Sequence, residues 1–239
     1  MFNLFTKRNK PHQISTTEQM NLLIFGDSIT ETASMDDDGS NYKEGVRSNW
    51  PKWLLQDISF KSVRNMAKAG ATYKDRENVP LRKNMSVQVN SAIKMKYPAD
   101  MIIIAMGTND GFATGNFETA MNKPTLESLD RSNLYEALRW SFWTIQSEPM
   151  YANAEKFVAL PIQRADREVL PCLHEAISMM AQRYGFQVID MTTESQIIRE
   201  FEVWDEEGRD LYDGLHPNVQ GQQKMANVFK KHINHLISK

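Results

Sequence analysis

The sequence is poor in cysteine: Cys172 is the only one among its 239 residues. A single thiol cannot form an intramolecular disulfide, and it cannot supply the several thiolates of a Cys-rich zinc site. We therefore expect a domain that folds without covalent cross-links, and this composition is compatible with a reducing compartment.

Long apolar runs are also missing. No segment approaches the roughly 20 consecutive apolar residues of a membrane-spanning helix. Residues 1–17 mix Phe2, Leu4 and Phe5 with basic side chains, and they lack the apolar stretch of about 7–15 residues that a secretory signal contains. We interpret 1–17 as a flexible leader and 18–239 as one domain, without an integral membrane segment and with an expected cytoplasmic location.

The chain also lacks a large net charge of either sign. The 28 basic and 30 acidic residues give a net charge of −2, and no long basic run predicts a nucleic-acid partner. Neither a Gly-x-Gly-x-x-Gly pattern nor a P-loop follows the first predicted strand, so dinucleotide or ATP binding lacks support. We predict no cofactor.

Two groups of residues contain side chains that can bind metal ions. Three consecutive aspartates at 36–38 lack the spacing and distal glutamate of an EF-hand loop. His174, His232 and His235 lie on predicted helices, without a Glu-x-x-His pattern or a cysteine partner. We predict a solvated loop, polar helix faces and no metal site.

What the sequence does contain is a set of short apolar runs that predict buried strands. They do not alternate apolar and polar residues, which is typical of strands covered on both faces of a parallel sheet. The runs are 22–25, 61–66, 100–106, 156–160 and 186–190.

Segments with helical periodicity lie between these runs. They cover 48–58, 86–96, 134–145, 170–184 and a last helix that starts near Pro217. In the last helix, Met225, Phe229, Ile233 and Leu236 share one face. Alternating strands and helices predict an α/β fold with a parallel sheet of about five strands and helices on both sides.

Polar groups follow three of the predicted strands. Ser28 comes directly after the first strand in a Gly-Asp-Ser turn, Gly70 follows the second, and Asn109 follows the most hydrophobic one. Parallel strands carry their ligand sites at their carboxyl ends, so these residues are expected near one another. Each is also a common turn residue, and each alone is a weak signal.

A fourth motif precedes the last helix. Asp213 lies three residues before His216, across a glycine, and can fold back onto the imidazole Nδ1–H. The other ring nitrogen then accepts a proton, which is the arrangement of a general base. Asp210 and Asp205 are also near His216 in sequence and are alternative partners.

Together, in this order, these motifs resemble the SGNH (GDSL) hydrolase superfamily, from about Asn21 to the last helix. The four residues of the family name correspond to Ser28, Gly70, Asn109 and His216. The Gly-x-Ser-x-Gly elbow of α/β-hydrolases is absent around Ser28. The resemblance implies a three-layer, flavodoxin-like SGNH hydrolase fold.

The resemblance also implies a serine esterase. Ser28 would be the nucleophile, His216 the base and Asp213 the acid; the Ser28 and Gly70 backbone N–H groups and the Asn109 side chain would form the oxyanion hole. Asp27 would brace the turn.

The substrate implied is a small-molecule, carbohydrate or lipid O-acyl ester, with acetyl as first choice. A lysophospholipase, a thioesterase, an O-acyltransferase and a catalytically silent binding domain stay as alternatives. Segment 112–126 is the candidate specificity loop. Trp140 and Trp143 are interpreted as helix packing, and the oligomeric state stays open.

Overall fold

The structure, a computed structural model, describes residues 16–31, 49–76 and 83–238. Most of the predicted leader and the aspartates at 36–38 lie outside these ranges. Five parallel strands form one sheet in the order β2-β1-β3-β4-β5, and this confirms the predicted α/β fold. The strands are β1 Asn21–Gly26, β2 Ser62–Asn65, β3 Met101–Ala105, β4 Glu155–Ala159 and β5 Gln187–Ile189.

Helices connect the strands and cover both faces of the sheet. They are α1 Trp50–Asp57, α2 Met85–Lys94, α3 Phe117–Asn122, α4 Leu134–Ser147, α5 Pro171–Arg183, α6 Met191–Glu194 and α7 Val219–Ile237. Short 3-10 turns cover Thr17–Gln19, Leu126–Ser128, Pro149–Tyr151 and Arg199–Phe201. Among the helices in the described ranges, none has the length and apolar content needed to cross a membrane.

Two buried clusters hold the three layers together. On one face α2, α4 and α5 contribute Val89, Leu138 and Ile177 to the core. On the other face α1 and α7 meet through the stacked rings of Trp50 and Phe229, whose centroids are 4.0 Å apart. The sheet is therefore covered on both sides, as the strand–helix alternation indicates.

The central strands are buried as expected, but the edge strands are not. All five residues of β3 are buried, whereas in β2 Val63 is 36% exposed and Arg64 is exposed. In β5, Gln187 is exposed. The expectation that every strand is covered on both faces was therefore wrong for β2 and β5, because an edge strand has a neighbour on one side only.

Two helix boundaries differ from the prediction. The helix expected over 86–96 ends at Lys94, since Lys96 adopts a φ of 53° that no right-handed helix contains. The last helix begins at Val219, two residues after Pro217, because Asn218 is its N-cap and accepts a hydrogen bond from the Gly221 N–H at 3.1 Å.

The strand order determines where a site can form. The chain leaves β1 for the edge strand β2 and returns to β3 on the opposite side of β1. The crevice at such a switch point, at the carboxyl ends of the strands, is the usual ligand site of doubly wound sheets. The turns after β1, β2 and β3 all open at this edge.

Candidate active site

The turn after β1 presents Ser28. The Asp27 carbonyl accepts hydrogen bonds from Thr30 N–H at 3.1 Å and Glu31 N–H at 2.8 Å, and the Asp27 carboxylate accepts one from Ile29 N–H at 3.0 Å. Asp27 thus braces the turn, as the resemblance implies. Gly26 is needed because a Cβ there would lie 2.4 Å from the Thr30 Cβ.

The Ser28 hydroxyl meets the loop that precedes α7. Its Oγ lies 2.9 Å from His216 Nε2, and His216 Nδ1 lies 2.8 Å from Asp213 Oδ2. Because a carboxylate only accepts, the Nδ1 atom carries the proton in this contact and Nε2 is the acceptor for the Ser28 hydroxyl. The structure therefore brings the three residues into one hydrogen-bonded chain.

The second carboxylate oxygen of Asp213 organises the same loop. It accepts hydrogen bonds from the Leu215 N–H at 2.9 Å and the His216 N–H at 2.7 Å. Partial burial works to raise the pKa of Asp213, but the hydrogen bonds from His216 and Leu215 outweigh it and lower the pKa below the usual value. Asp213 is accordingly a charged partner for the imidazole.

The alternative acids have other partners. Asp210 is fully buried, and its carboxylate lies 2.8 Å from Arg209 Nε and 2.7 Å from Lys224 Nζ. Asp205 meets this loop through its backbone N–H, which donates to the Asp213 carbonyl at 3.0 Å. Of the three candidates, the imidazole contact therefore belongs to Asp213.

The turns after β2 and β3 are joined beside Ser28. The Asn109 side-chain amide donates to the Ala71 carbonyl at 3.0 Å, and the Ala69 N–H donates to the Glu31 carboxylate at 2.7 Å. Gly70 lies between these contacts with a φ of 76°, in the left-handed region that glycine occupies without strain. Gly70 and Asn109 are thereby held at the same edge as the Ser28 turn.

Some hydrogen-bond donors at this edge of the sheet are available to a ligand. In the ranges 16–31, 49–76 and 83–238, the backbone N–H groups of Ser28 and Gly70 donate to no other group. One amide hydrogen of Asn109 is used by Ala71, and an amide has two. The Ser28 and Gly70 N–H groups and the second Asn109 amide hydrogen therefore stay candidate donors for a ligand oxygen.

Two buried carboxyl groups lie beneath the site. Asp110 accepts hydrogen bonds from the N–H groups of Tyr73 at 2.9 Å and Lys74 at 3.0 Å, which ties the β2 turn to the β3 turn. Burial raises the pKa of Asp27 to about 7 and that of Asp110 to about 6. One oxygen of Asp27 and the Tyr73 hydroxyl are buried without a hydrogen-bond partner among the described residues.

Sequence reasoning missed a group of arginines at this edge. Arg164 and Arg167, in the loop after β4, donate to the Thr108 carbonyl at 3.1 Å and 2.6 Å. Arg76 donates to the next carbonyl, that of Asn109. Their position in the sequence could have indicated this location. Arg164 and Arg167 follow the fourth predicted strand, as Asn109 follows the third.

The segment proposed as a specificity loop borders the same turn. Phe112 is 72% exposed, and its carbonyl accepts a hydrogen bond from Lys74 Nζ at 3.4 Å. Its role in specificity stays a prediction. Trp140 is buried within α4, and the Trp143 ring lies under the Arg139 guanidinium at 4.6 Å, which agrees with packing roles for both tryptophans.

At the switch point of this doubly wound α/β sheet, a serine, an imidazole and a carboxylate are linked by hydrogen bonds. This arrangement is a hydrolase-type architecture. The sequence model of the GDSL-like Lipase/Acylhydrolase family matches residues 22–229. The chain belongs to this family, whose members are ester hydrolases. No curated protein sequence matches the chain.

Solved structures share the fold at low sequence identity. A protein from Lactobacillus plantarum has a TM-score of 0.65 and 16% identity, covering 92% of this chain and 98% of its own. A member of the lipolytic protein G-D-S-L family from Veillonella parvula has a TM-score of 0.53 and 15% identity, with 90% and 98% covered. Est24, a carbohydrate acetylesterase from Sinorhizobium meliloti, has a TM-score of 0.60 and 13% identity, with 91% and 100% covered.

Proposed function

We propose that the protein is a serine esterase that hydrolyses short O-acyl esters, acetyl esters first, through an acyl-enzyme. The observation that carries the proposal is the 2.9 Å contact between Ser28 Oγ and His216 Nε2, with Asp213 on the other ring nitrogen. A serine hydroxyl is a weak nucleophile until an adjacent base takes its proton. The His216 imidazole and the Asp213 carboxylate support these roles of base and orienting group.

In the proposed reaction Ser28 Oγ attacks the ester carbonyl carbon while His216 Nε2 takes the hydroxyl proton. The carbonyl π electrons move to oxygen, and the N–H groups of Ser28 and Gly70 and the Asn109 amide stabilise the oxyanion. The intermediate collapses, the C–O bond to the alcohol breaks, and His216 returns the proton to the leaving alkoxide. Asp213 stabilises the imidazolium in both steps.

The second half of the reaction repeats these steps with water. His216 deprotonates a water molecule that attacks the acyl-enzyme carbonyl, and Ser28 leaves as the restored alcohol while the carboxylic acid departs. Support for a short acyl group comes from the fold likeness to Est24, which its name describes as a carbohydrate acetylesterase.

The test combines labelling with kinetics. A fluorophosphonate probe should label the wild-type protein at Ser28, and Ser28→Ala should lower kcat/KM for 4-nitrophenyl acetate by at least about 10⁴-fold. Ser132→Ala is the matched control, because Ser132 is exposed and its hydroxyl contacts only Asp130 among the described residues. Hydrolysis by Ser28→Ala at the wild-type rate would refute the proposal.

An ester panel then tests the acyl preference. Acetyl, butyryl and octanoyl esters of one alcohol should show falling kcat/KM with chain length. A maximum at the longest chain would favour a lipid substrate. Acyl transfer to an added sugar instead of water would make the protein a transferase.

A further inference from the structure

Three arginine side chains converge on two consecutive carbonyl groups beside the candidate active site. Arg164 and Arg167 share the Thr108 carbonyl, and Arg76 binds the carbonyl of Asn109. Neighbouring residues in a chain are about 3.8 Å apart, so the three guanidinium groups lie around one small patch. Asn109, the proposed oxyanion donor, is part of this patch.

The loop that carries two of these arginines also touches the histidine loop. The Ala165 N–H donates to the Gly214 carbonyl at 2.8 Å, between Asp213 and His216 in sequence. The loop thus borders the proposed catalytic residues on one side and the Asn109 turn on the other. A small open cleft lies beside Thr108, with lining that includes Pro161, Arg164, Arg167, Glu168, Leu173 and His174.

The positive charge of this patch is only partly neutralised. Asp166 binds Arg164 through two contacts of 2.7 Å, and Glu168 pairs with Arg199. Neither Arg76 nor Arg167 forms an ion pair with a carboxylate among the described residues.

Other charges face the patch as well. Lys74 lies close to Arg76, and the Asp110 carboxyl group, whose pKa burial raises to about 6, interacts with both. Burial lowers the pKa of Arg167, repulsion from Arg164 and Arg76 lowers it further, and attraction to Asp166 opposes this lowering without cancelling it. The group therefore keeps an excess of positive charge, and its members repel one another.

We propose that Arg76, Arg164 and Arg167 form a subsite for an anionic group, a carboxylate or a phosphate, on the alcohol part of the ester substrate. The inference rests on the proposed function, because the short acyl group leaves the alcohol part as the carrier of the anion. Guanidinium groups bind the oxygens of both anions in paired hydrogen bonds. A bound anion also relieves the repulsion among the three cations.

Matched esters test this subsite. One pair is 4-acetoxybenzoate and 4-acetoxybenzamide, and the second is 4-acetoxyphenyl phosphate and 4-acetoxyphenol. The first member of each pair is anionic and the second is neutral, so the two pairs also separate carboxylate from phosphate. The ratio of kcat/KM within a pair, divided by the ratio of their hydroxide-catalysed rates, measures the anion preference.

We expect the wild type to prefer the anionic ester of at least one pair by about tenfold or more, since hydrogen bonds to charged groups carry that much free energy. Raising the salt concentration to about 0.5 M should reduce the preference. Arg167→Gln keeps an amide donor for the Thr108 carbonyl, removes the charge and should lower the ratio about tenfold. Arg76→Gln should act in the same direction.

Arg183→Gln is the matched control and should keep the wild-type ratio. Arg183 is exposed at the carboxyl end of α5, which begins at the site edge of the sheet and ends at the opposite one. Melting temperatures report whether each variant is folded. A wild-type ratio near one in both pairs, or an unchanged ratio in both Arg167→Gln and Arg76→Gln, would overturn the subsite.

A separate measurement distinguishes this failure from failure of the esterase proposal. Calorimetric titration of the Ser28→Ala protein with the products 4-hydroxybenzoate and 4-hydroxyphenyl phosphate needs no hydrolysis. Binding that is lost in the Ser28→Ala, Arg167→Gln double variant supports the subsite even if the esters are not cleaved. Hydrolysis that depends on Ser28 without anion preference refutes only the subsite.

Discussion

Ser28 Oγ and His216 Nε2 lie 2.9 Å apart although 188 residues separate them in the chain. No local interaction can enforce such a contact. It requires the turn after β1 and the loop before α7 to be anchored independently, the first by Asp27 and the second by Asp213. The Asp27 and Asp213 carboxyl groups, which accept hydrogen bonds from backbone N–H groups, therefore support the hydroxyl–imidazole geometry.

The double role of Asp213 leads to the first prediction. Asp213→Asn should lower kcat by about 10²–10⁴-fold, because the amide neither stabilises the imidazolium nor favours the Nδ1–H tautomer. KM should change little, since Asp213 touches His216 and not the substrate. The measurement is a full kinetic analysis with a short 4-nitrophenyl ester.

Asp210→Asn separates this role from general damage to the loop. Asp210 is buried and pairs with the partly exposed Arg209 and Lys224, so its loss should lower stability by about 1–3 kcal/mol and leave kcat near normal in the folded fraction. If instead Asp210→Asn abolishes turnover in folded protein while Asp213→Asn turns over normally, the assignment of the acid is wrong.

The second prediction concerns Asn109. Asn109→Ala should lower kcat by about 10²–10³-fold, the usual cost of one oxyanion donor, with a smaller change in KM. The donor matters most when charge develops on the carbonyl oxygen, so ground-state binding is less affected. Steady-state kinetics and the rate of fluorophosphonate labelling both report the loss.

Asn133→Ala is a suitable comparison for that experiment. Asn133 caps α4 through a hydrogen bond from the Glu136 N–H at 3.4 Å. Its removal should cost about 1 kcal/mol of stability and leave kcat unchanged. Equal kinetic effects of the two substitutions would show that Asn109 acts through the fold and not on the oxyanion.

The residues of this site that could be predicted are those whose positions follow from short segments of the sequence. Ser28, Gly70 and Asn109 each follow a predicted strand, and parallel strands collect their carboxyl ends at one edge whatever their order. Asp213 and His216 are three residues apart, so their contact is local.

The remaining features depend on packing between distant segments. The position of β2 at the edge of the sheet is set by the order of the strands, which its own four residues do not encode. Arg76 and Arg167 bind carbonyl groups more than thirty residues away in sequence. The shifted pKa of Asp27 arises from complete burial, which no local pattern reveals.

The third prediction uses this buried carboxyl group to test the pH dependence of stability. Burial raises the pKa of Asp27 from 3.8 to about 7. Between these two values the folded state holds a proton that the unfolded state has released. The free energy of unfolding therefore falls as the pH rises through this window, by an amount of the order of a few kcal/mol. Asp110, with a pKa raised to about 6, contributes in the same direction.

Asp27→Asn removes the larger of the two contributions. The amide oxygen can still accept the hydrogen bond from Ile29, and the replaced oxygen has no hydrogen-bond partner among the described residues. Urea unfolding at about pH 5 and about pH 8 should show a clear loss of stability in the wild type and a smaller loss in Asp27→Asn. Asp57→Asn, on the exposed side of α1, should follow the wild type. A pH profile that is identical in Asp27→Asn and the wild type would mean that Asp27 is ionised in the folded protein, and that its charge is compensated by the neighbouring Arg164.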